Sequence, residues 1–289
     1  MLALVADILA RAADTVPGDP GYLVRFWETA DGLPENSASA ITQTPDGYLW
    51  FGTFNGLVRF NGVEFKVFNP ENTPELPSAG IVNLHTDRSG RLLVGTYRGL
   101  AVKEAAGWRR LTQTDGAEGD CVRSFADRSQ GDVLITTFNG KILELSGTNL
   151  SELPTPPGEP GRGYIGGSDE DGHWWVVQGK FAGRWEKDRW MPMIPDQPPF
   201  EPYACAPAHD GGLWLLLGNR VVKLRNGREV ARRTVHGLED AVWSLREDHQ
   251  ENLWIASAGR GFLRITPNGE MTTWNRASGW ADGGRCVFE

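Results

Sequence analysis

Little in this chain points to redox, metal or membrane chemistry. Its 289 residues hold three cysteines, Cys121, Cys205 and Cys286, an odd number with no Cys-x-x-Cys spacing. They read as small buried hydrophobes and decide no compartment. The five histidines (His85, His173, His209, His236 and His249) fall at none of the His-x-His, His-x-x-x-His or His-Glu-x-x-His spacings, so no metal site is expected. No run of about 20 apolar residues exists, so the segment is not expected to insert directly into a membrane. A basic excess is missing too: 29 Lys and Arg stand against 37 Asp and Glu, a net charge of −8. Duplex nucleic acid wants a clustered basic face, and none is legible. A Gly-x-Gly occurs at Gly161-Arg162-Gly163, but no helix pattern follows it to receive a phosphate. Adjacent acids such as Asp169-Glu170-Asp171 and Glu239-Asp240 sit in turn contexts, where they serve turn geometry and solubility. No catalytic residues, no cofactor and no metal are assigned.

What the chain has in plenty is repetition. Strand-like segments centred on Trp50, Leu93, Leu134, Trp175, Trp214 and Trp254 recur at intervals of about forty residues. The first unit is the clearest. Ser39 to Gln43 reads as an inner strand, Thr44-Pro45-Asp46-Gly47 as a turn, and Tyr48 to Thr53 as a second strand. Phe54-Asn55-Gly56 then turns the chain into Leu57 to Phe60, and Asn61-Gly62 leads to a fourth strand over Val63 to Phe68. Asp-Gly and Asn-Gly between apolar runs are strong hairpin signals. The first turn returns as Ser89-Gly90, Gln130-Gly131, Asp171-Gly172 and Asp210-Gly211, and in degraded form as Gln250-Glu251-Asn252. Continuous apolar second strands such as LWLLL (213–217) suit sheets covered on both faces.

Four antiparallel strands per unit predict an all-β fold, a β-propeller of the seven-bladed type. Six blades are complete, over about 36–77, 78–117, 118–158, 159–198, 199–237 and 238–280, and the chain is truncated within the seventh. Trp27 to Leu33 parallels Trp274 to Trp280, the exit of the sixth unit, so residues 22–28 read as an outer strand without a blade of its own. Residues 284–289 read as the opening inner strand of the same incomplete blade, which would close the ring and leave no sheet edge at the join. Residues 1–21 are set apart as a leader or disordered N-terminus. MLALVADILARAAD carries a small-x-small Ala10-Arg11-Ala12, but it lacks a basic start and is interrupted by Asp7.

The stretches DGLPENSASAITQTPDGYLWFGTFNGLVRFNG (31–62) and LWIASAGRGFLRI (253–265) resemble the two-component regulator propeller repeat. The resemblance extends over roughly residues 22 to 289 and is strongest in units one, two and six. It implies the extracytoplasmic sensor region of a bacterial sensor or hybrid histidine kinase, periplasmic and tethered to the inner membrane. Its implied partners are a small-molecule or oligosaccharide ligand and a downstream signalling module of the same polypeptide, with a possible homodimer of the full receptor. Kinase activity would belong to that downstream part, so this segment is expected to be non-enzymatic. The resemblance transfers no ligand residues. Two alternatives stay open: a propeller lyase or hydrolase acting on a cyclic or lactone substrate, and a non-catalytic protein-binding scaffold.

The residues themselves favour a binding surface. In a four-stranded blade the second turn and the blade-to-blade connection share one face of the ring. Aligned second turns give Asn55, Arg98, Asn139, Lys180, Asn219 and Arg260, flanked by Phe54, Tyr97, Phe138 and Arg220. Aromatic faces stack on sugars and guanidinium groups bind anions, so Asn55, Arg98, Lys180, Arg220, Arg260, Phe54, Tyr97 and Phe138 form the candidate ligand site. Each also has a plainer reading: Asn before Gly is what a tight turn needs, the cations could be solvated, and Phe54 and Phe138 could cap the core. The long proline-rich connections Asn69 to Pro77, Leu153 to Gly161 and Ile194 to Pro202 would rim the same face. Of the twelve tryptophans, Trp50, Trp175, Trp214 and Trp254 share one strand position and are expected between blades, and Trp108, Trp190 and Trp274 lie on outer strands.

Overall fold

The computed structural model describes residues 2–5, 24–111, 120–128, 131–156, 165–168, 172–178, 181–193, 202–225, 228–236, 238, 241–278, 280 and 284–288. Strand β1 (Leu2–Val5) pairs antiparallel with β2 (Val24–Trp27). Six four-stranded antiparallel sheets follow, each with its strands in sequence order. Blade one is β3 (Ala38–Gln43), β4 (Leu49–Thr53), β5 (Gly56–Phe60) and β6 (Phe65–Phe68). Blade two is β7 (Ile81–Thr86), β8 (Leu92–Thr96), β9 (Gly99–Glu104) and β10 (Gly107–Leu111). Blade three is β11 (Val122–Asp127), β12 (Val133–Thr137), β13 (Ile142–Ser146) and β14 (Asn149–Leu153). Blade four is β15 (Ile165–Ser168), β16 (Trp174–Gln178), β17 (Phe181–Glu186) and β18 (Arg189–Pro192). Blade five is β19 (Pro202–Pro207), β20 (Leu213–Leu217), β21 (Arg220–Arg225) and β22 (Arg228–Thr234). Blade six is β23 (Val242–Glu247), β24 (Leu253–Ser257), β25 (Gly261–Ile265) and β26 (Met271–Trp274).

The second strands are buried on both faces because neighbouring blades cover them, which is why β8, β12, β16, β20 and β24 lack polar alternation. The core is a series of wedges between blades. Trp50, Leu57 and Phe68 of blade one meet Ile81, Leu84 and Val94 of blade two, and the same kind of cluster recurs at the four following interfaces. Trp50, Trp175 and Trp214 are 1% exposed and Trp254 8%, which makes them core, not a platform. Their indoles are pinned: Trp50 Nε1 donates to Thr44 Oγ1 (2.9 Å), Trp214 to Glu247 Oε1 (2.9 Å) and Trp254 to Asp248 Oδ2 (2.7 Å). Trp190 and Trp274 are buried and Trp108 half-buried on outer strands.

Backbone packing sets one residue choice sharply. A Cβ on Gly95 would lie 2.7 Å from Val122 Cγ1 and 2.8 Å from Val122 Cβ, so the inner strand of blade three seats directly on the backbone of β8. Across the inner strands, Thr42 Oγ1 meets Thr86 Oγ1 (3.0 Å) between blades one and two, and His85 Nε2 meets Asp127 Oδ1 (3.0 Å) one blade further on. The His–Asp pair is therefore one member of a series of blade-to-blade ties.

Six blades are observed among the described residues, and a seventh four-stranded blade is not. The flanks of the join are nonetheless occupied. Trp27 packs with Leu33, Phe51, Val58 and Phe60 on the blade-one side, where Cys286 also lies. Phe26 packs with Trp254, Trp274 and Trp280 on the blade-six side, where Val287 also lies. Adjacent residues facing opposite ways is the period of a strand. The parallel between the two ends is structural as well: a three-residue 3-10 turn follows each Trp, Thr29–Asp31 after Trp27 and Arg276–Ser278 after Trp274.

Candidate functional site

The second turns share a face with the start of each inner strand. Tyr97 N–H donates to Gly80 O (3.1 Å), Phe138 N–H to Cys121 O (2.9 Å) and Ala258 N–H to Ala241 O (2.9 Å), each joining a second turn to the residue before its blade's inner strand. Val235 N–H donates to Asn219 O (2.7 Å), which brings a blade-to-blade connection onto the same face. Threonine shapes the turns: Thr53 Oγ1 donates to Gly56 O and accepts from Asn55 N–H, and Thr96 does the same with Gly99 O and Arg98 N–H. Gly56 alone takes positive φ (155°), so Phe54 and Asn55 form the turn and the glycine completes it.

This geometry holds aromatic rings in the open. Tyr97, Phe138 and Trp243 are 49%, 48% and 52% exposed, rare values for large rings on a chain whose other tryptophans are mostly core. Phe54 and Tyr97 stack with centroids 6.0 Å apart. Gly80 lies so close beneath the Tyr97 ring that a side chain there would strike it. Phe54 is fixed through its N–H, which donates to Glu35 Oε2 (3.0 Å).

Three participants were not among the sequence candidates. The Arg285 guanidinium carbon lies 5.1 Å from the Phe54 ring centroid and 5.0 Å from that of Trp243, between blades one and six. The Arg123 guanidinium sits 5.2 Å from the Phe138 centroid. Arg123 and Trp243 occupy the same special position. Each is the extra residue of a β-bulge, between Val122 and Ser124 and between Val242 and Ser244. Blades one, two and five have the bulge too, at Ser39, Val82 and Tyr203. A bulge re-aims a side chain out of the pleat, here towards the channel mouth. Burial lowers the pKa of Arg123, partly opposed by its interaction with Cys205.

The remaining candidates diverge. Asn55 and Arg98 are exposed at turn tips, with Arg98 tied only through its backbone. Arg260 Nη1 donates to His236 O (3.2 Å), which binds it to the connection between blades five and six. Arg220 stands opposite Thr234 of the outer strand. A hydrogen bond from Arg232 holds the Glu229 carboxyl of that strand below its ordinary range, and Arg220 adds to the effect. Asn139 Nδ2 and Lys141 Nζ both turn to Asp120. Lys180 lies outside the described residues, as do Gly161-Arg162-Gly163, Asp169-Glu170-Asp171 and Glu239-Asp240. The structure thus brings Phe54, Tyr97, Trp243 and Arg285 into one contiguous group, with Phe138 and Arg123 as a second. Burial raises the Cys205 and Cys286 thiols to about 12, so neither offers a thiolate at neutral pH. Among the described residues no three His, Cys, Asp or Glu gather as a metal site would require.

Comparison with known proteins matches this architecture. Residues 32–55 match the family described as two component regulator propeller. No curated protein matches the sequence. The extracellular domain of a putative hybrid two component system from B. thetaiotaomicron superposes with a TM-score of 0.71 at 18% identity, over 88% of this chain and 36% of that one. This chain therefore spans about a third of that structure. A second such extracellular domain from the same organism gives 0.67 at 15% identity, over 88% and 39%. Virginiamycin B lyase from Staphylococcus aureus gives 0.69 at 15% identity, over 82% and 83%. At these identities the likeness is one of fold. No helix among the described residues is long and apolar enough to cross a membrane. The chain is a β-propeller whose residues 32–55 match the two component regulator propeller family, and its fold is shared by extracellular domains of putative hybrid two component systems.

Proposed function

We propose that this chain is the ligand-sensing propeller of an extracytoplasmic two-component receptor, seven-bladed in its full form. It binds a carbohydrate or another small polar ligand at the mouth lined by the second turns. The observation that carries this reading is the exposed rings of Tyr97, Phe138 and Trp243, with half-buried Phe54 stacked on Tyr97, Arg285 against Phe54 and Trp243, and Arg123 against Phe138. Such rings offer apolar faces to a sugar, and the guanidinium groups give directional donors. The seventh blade is supported by the seam, where Phe26 and Trp27, and again Cys286 and Val287, pack towards opposite neighbours as the margins of a blade would.

Binding would bias the join between this propeller and the following module, and so shift a downstream membrane-anchored histidine kinase through differential affinity for two states. We read the segment as non-catalytic, because the mouth gathers cations and aromatic faces instead of a nucleophile with its base. Calorimetric titration with a panel of neutral and acidic oligosaccharides tests the reading. At least one should bind, and Tyr97→Ala and Trp243→Ala should each weaken it by about tenfold. Failure of every saccharide to bind, with the fold intact, would refute it.

A further inference from the structure

Some arginines of this chain pair with carboxylates, and others, such as Arg59 and Arg285, are set against aromatic rings. Arg91, Arg109, Arg184, Arg225 and Arg232 each pair with a carboxylate. Arg285 is exposed and has no carboxylate partner among the described residues; its contacts are the faces of Phe54 and Trp243. An exposed cation with no carboxylate partner among the described residues can take an acid from outside. The N–H edge of a guanidinium matches two oxygens of one oxyanion.

The backbone beside Arg285 is seated firmly. Gly284 N–H donates to Ser257 O (2.9 Å), and a Cβ on Gly284 would lie 2.8 Å from both Gly261 O and Phe262 Cε1. Cys286 then packs towards blade one and Val287 towards blade six. A group held by Arg285 is therefore held at the seam, within reach of ring faces from both flanking blades. Exposed Arg98, next to Tyr97, adds a second positive charge to the same mouth.

Building on the sensing function argued above, we propose that the ligand is an acidic saccharide. Its oxyanion docks on the guanidinium edge of Arg285 and its apolar sugar face lies on Trp243 or Tyr97. Occupancy ties residues 284–288 to rings of blades one and six. Carboxylated and sulfated sugars share this chemistry and differ in the geometry of the anion.

The test titrates the whole chain with trigalacturonate, a sulfated disaccharide and neutral cellotriose, and follows hydrogen exchange at 24–27 and 284–288. The expected result is binding of an acidic probe, weakened about tenfold or more by Arg285→Ala. Arg285→Lys should give an intermediate loss, because the charge stays and the fork goes. Exchange in both segments should slow on binding, and the uronate and sulfate arms identify the anion. Acidic probes that bind Arg285→Ala as tightly as the parent would overturn the proposal. So would preferential binding of cellotriose through Trp243, which would leave the sensing function standing. If no probe binds at all, both fall.

Discussion

Glu247 ties blade five to blade six, and the cost of cutting that tie can be worked out from its contacts. The side chain is 5% exposed; Oε1 accepts from Trp214 Nε1 (2.9 Å) and Oε2 from His209 N–H (2.6 Å). Lys223 and Arg233 lie over the Trp214 ring at 5.3 and 4.9 Å. Burial lowers the pKa of both cations, and the charge of Glu247 pulls each back up. Glu247→Leu removes the acceptor and the charge together. His209 is exposed, so water restores its N–H partner at little cost. The indole N–H of Trp214 (1% exposed) gains no such substitute, and an orphaned buried donor costs about 1–3 kcal/mol. Lys223 keeps its ion pair with Asp210, so the loss should be about 1–3 kcal/mol, or about 2–5 °C in Tm for a chain of this size. Glu247→Gln keeps an oxygen acceptor and should lose about half as much. A double-mutant cycle sharpens the test. Trp214→Phe removes the orphaned donor, so Trp214→Phe/Glu247→Leu should be less destabilised than the sum of the singles by about 1–2 kcal/mol. Urea melts showing additivity, or Glu247→Leu within 0.5 kcal/mol of the parent, would refute the reasoning.

Three further outcomes follow from the same contacts. Gly95→Ala should destabilise by about 1–3 kcal/mol through overpacking against Val122, and Val122→Ala should recover only part of it because Val122 Cβ itself is in the way; chemical denaturation of the pair checks this. Glu251 holds φ 63° in the degraded first turn of blade six, so Glu251→Gly should raise stability by up to about 1 kcal/mol in thermal melts. Burial alone would raise the Asp248 carboxyl, but its hydrogen bonds from Asn252, Trp254 and Gln250 outweigh burial and hold it below its ordinary value. A depressed folded pKa means that the unfolded chain binds the extra proton first. The stabilisation is therefore complete above about pH 4 and is lost as the pH falls through the folded value. Asp248→Asn should flatten that acid limb in Tm measured against pH, and an unchanged limb would rule the assignment out.

What the sequence made legible was whatever depends on local chemistry repeated at a fixed period. Asp46-Gly47, Ser89-Gly90 and Asp210-Gly211 announce first turns, and the all-apolar second strands announce burial on both faces; these are found where expected, while Gln130 and Asp171 of two further turns lie outside the described residues. The degraded turn at Gln250-Glu251-Asn252 still forms, because Asp248 O and N take up the same two backbone hydrogen bonds with Glu251 and Asn252 as a glycine turn would. The site was legible in half. Phe54, Tyr97 and Phe138 sit in the turns themselves, where alignment finds them. Arg123 and Trp243 do not, because a strand read with period two sends each residue into one of two sheet faces and a bulge obeys neither. The signal was present as a large or charged residue second in an inner strand. Arg285 escaped because its partners come from opposite ends of the chain. Arg260 shows the converse: right by alignment, its side chain is taken up by the His236 carbonyl.

The seam is where stability and sensing meet. At each of the five interfaces between complete blades, two four-stranded sheets bury a shared cluster. At the join, Trp27, Leu33 and Cys286 pack against blade one, and Phe26, Trp280 and Val287 against blade six. Local opening is governed by how few buried contacts a segment makes, so contacts added at the join act on its opening. A ligand that bridges Phe54, Arg285 and Trp243 spends its binding energy on this one interface. An affinity difference of about a hundredfold between closed and open joins moves the equilibrium by about 2.7 kcal/mol, enough to reverse a balance of ten to one.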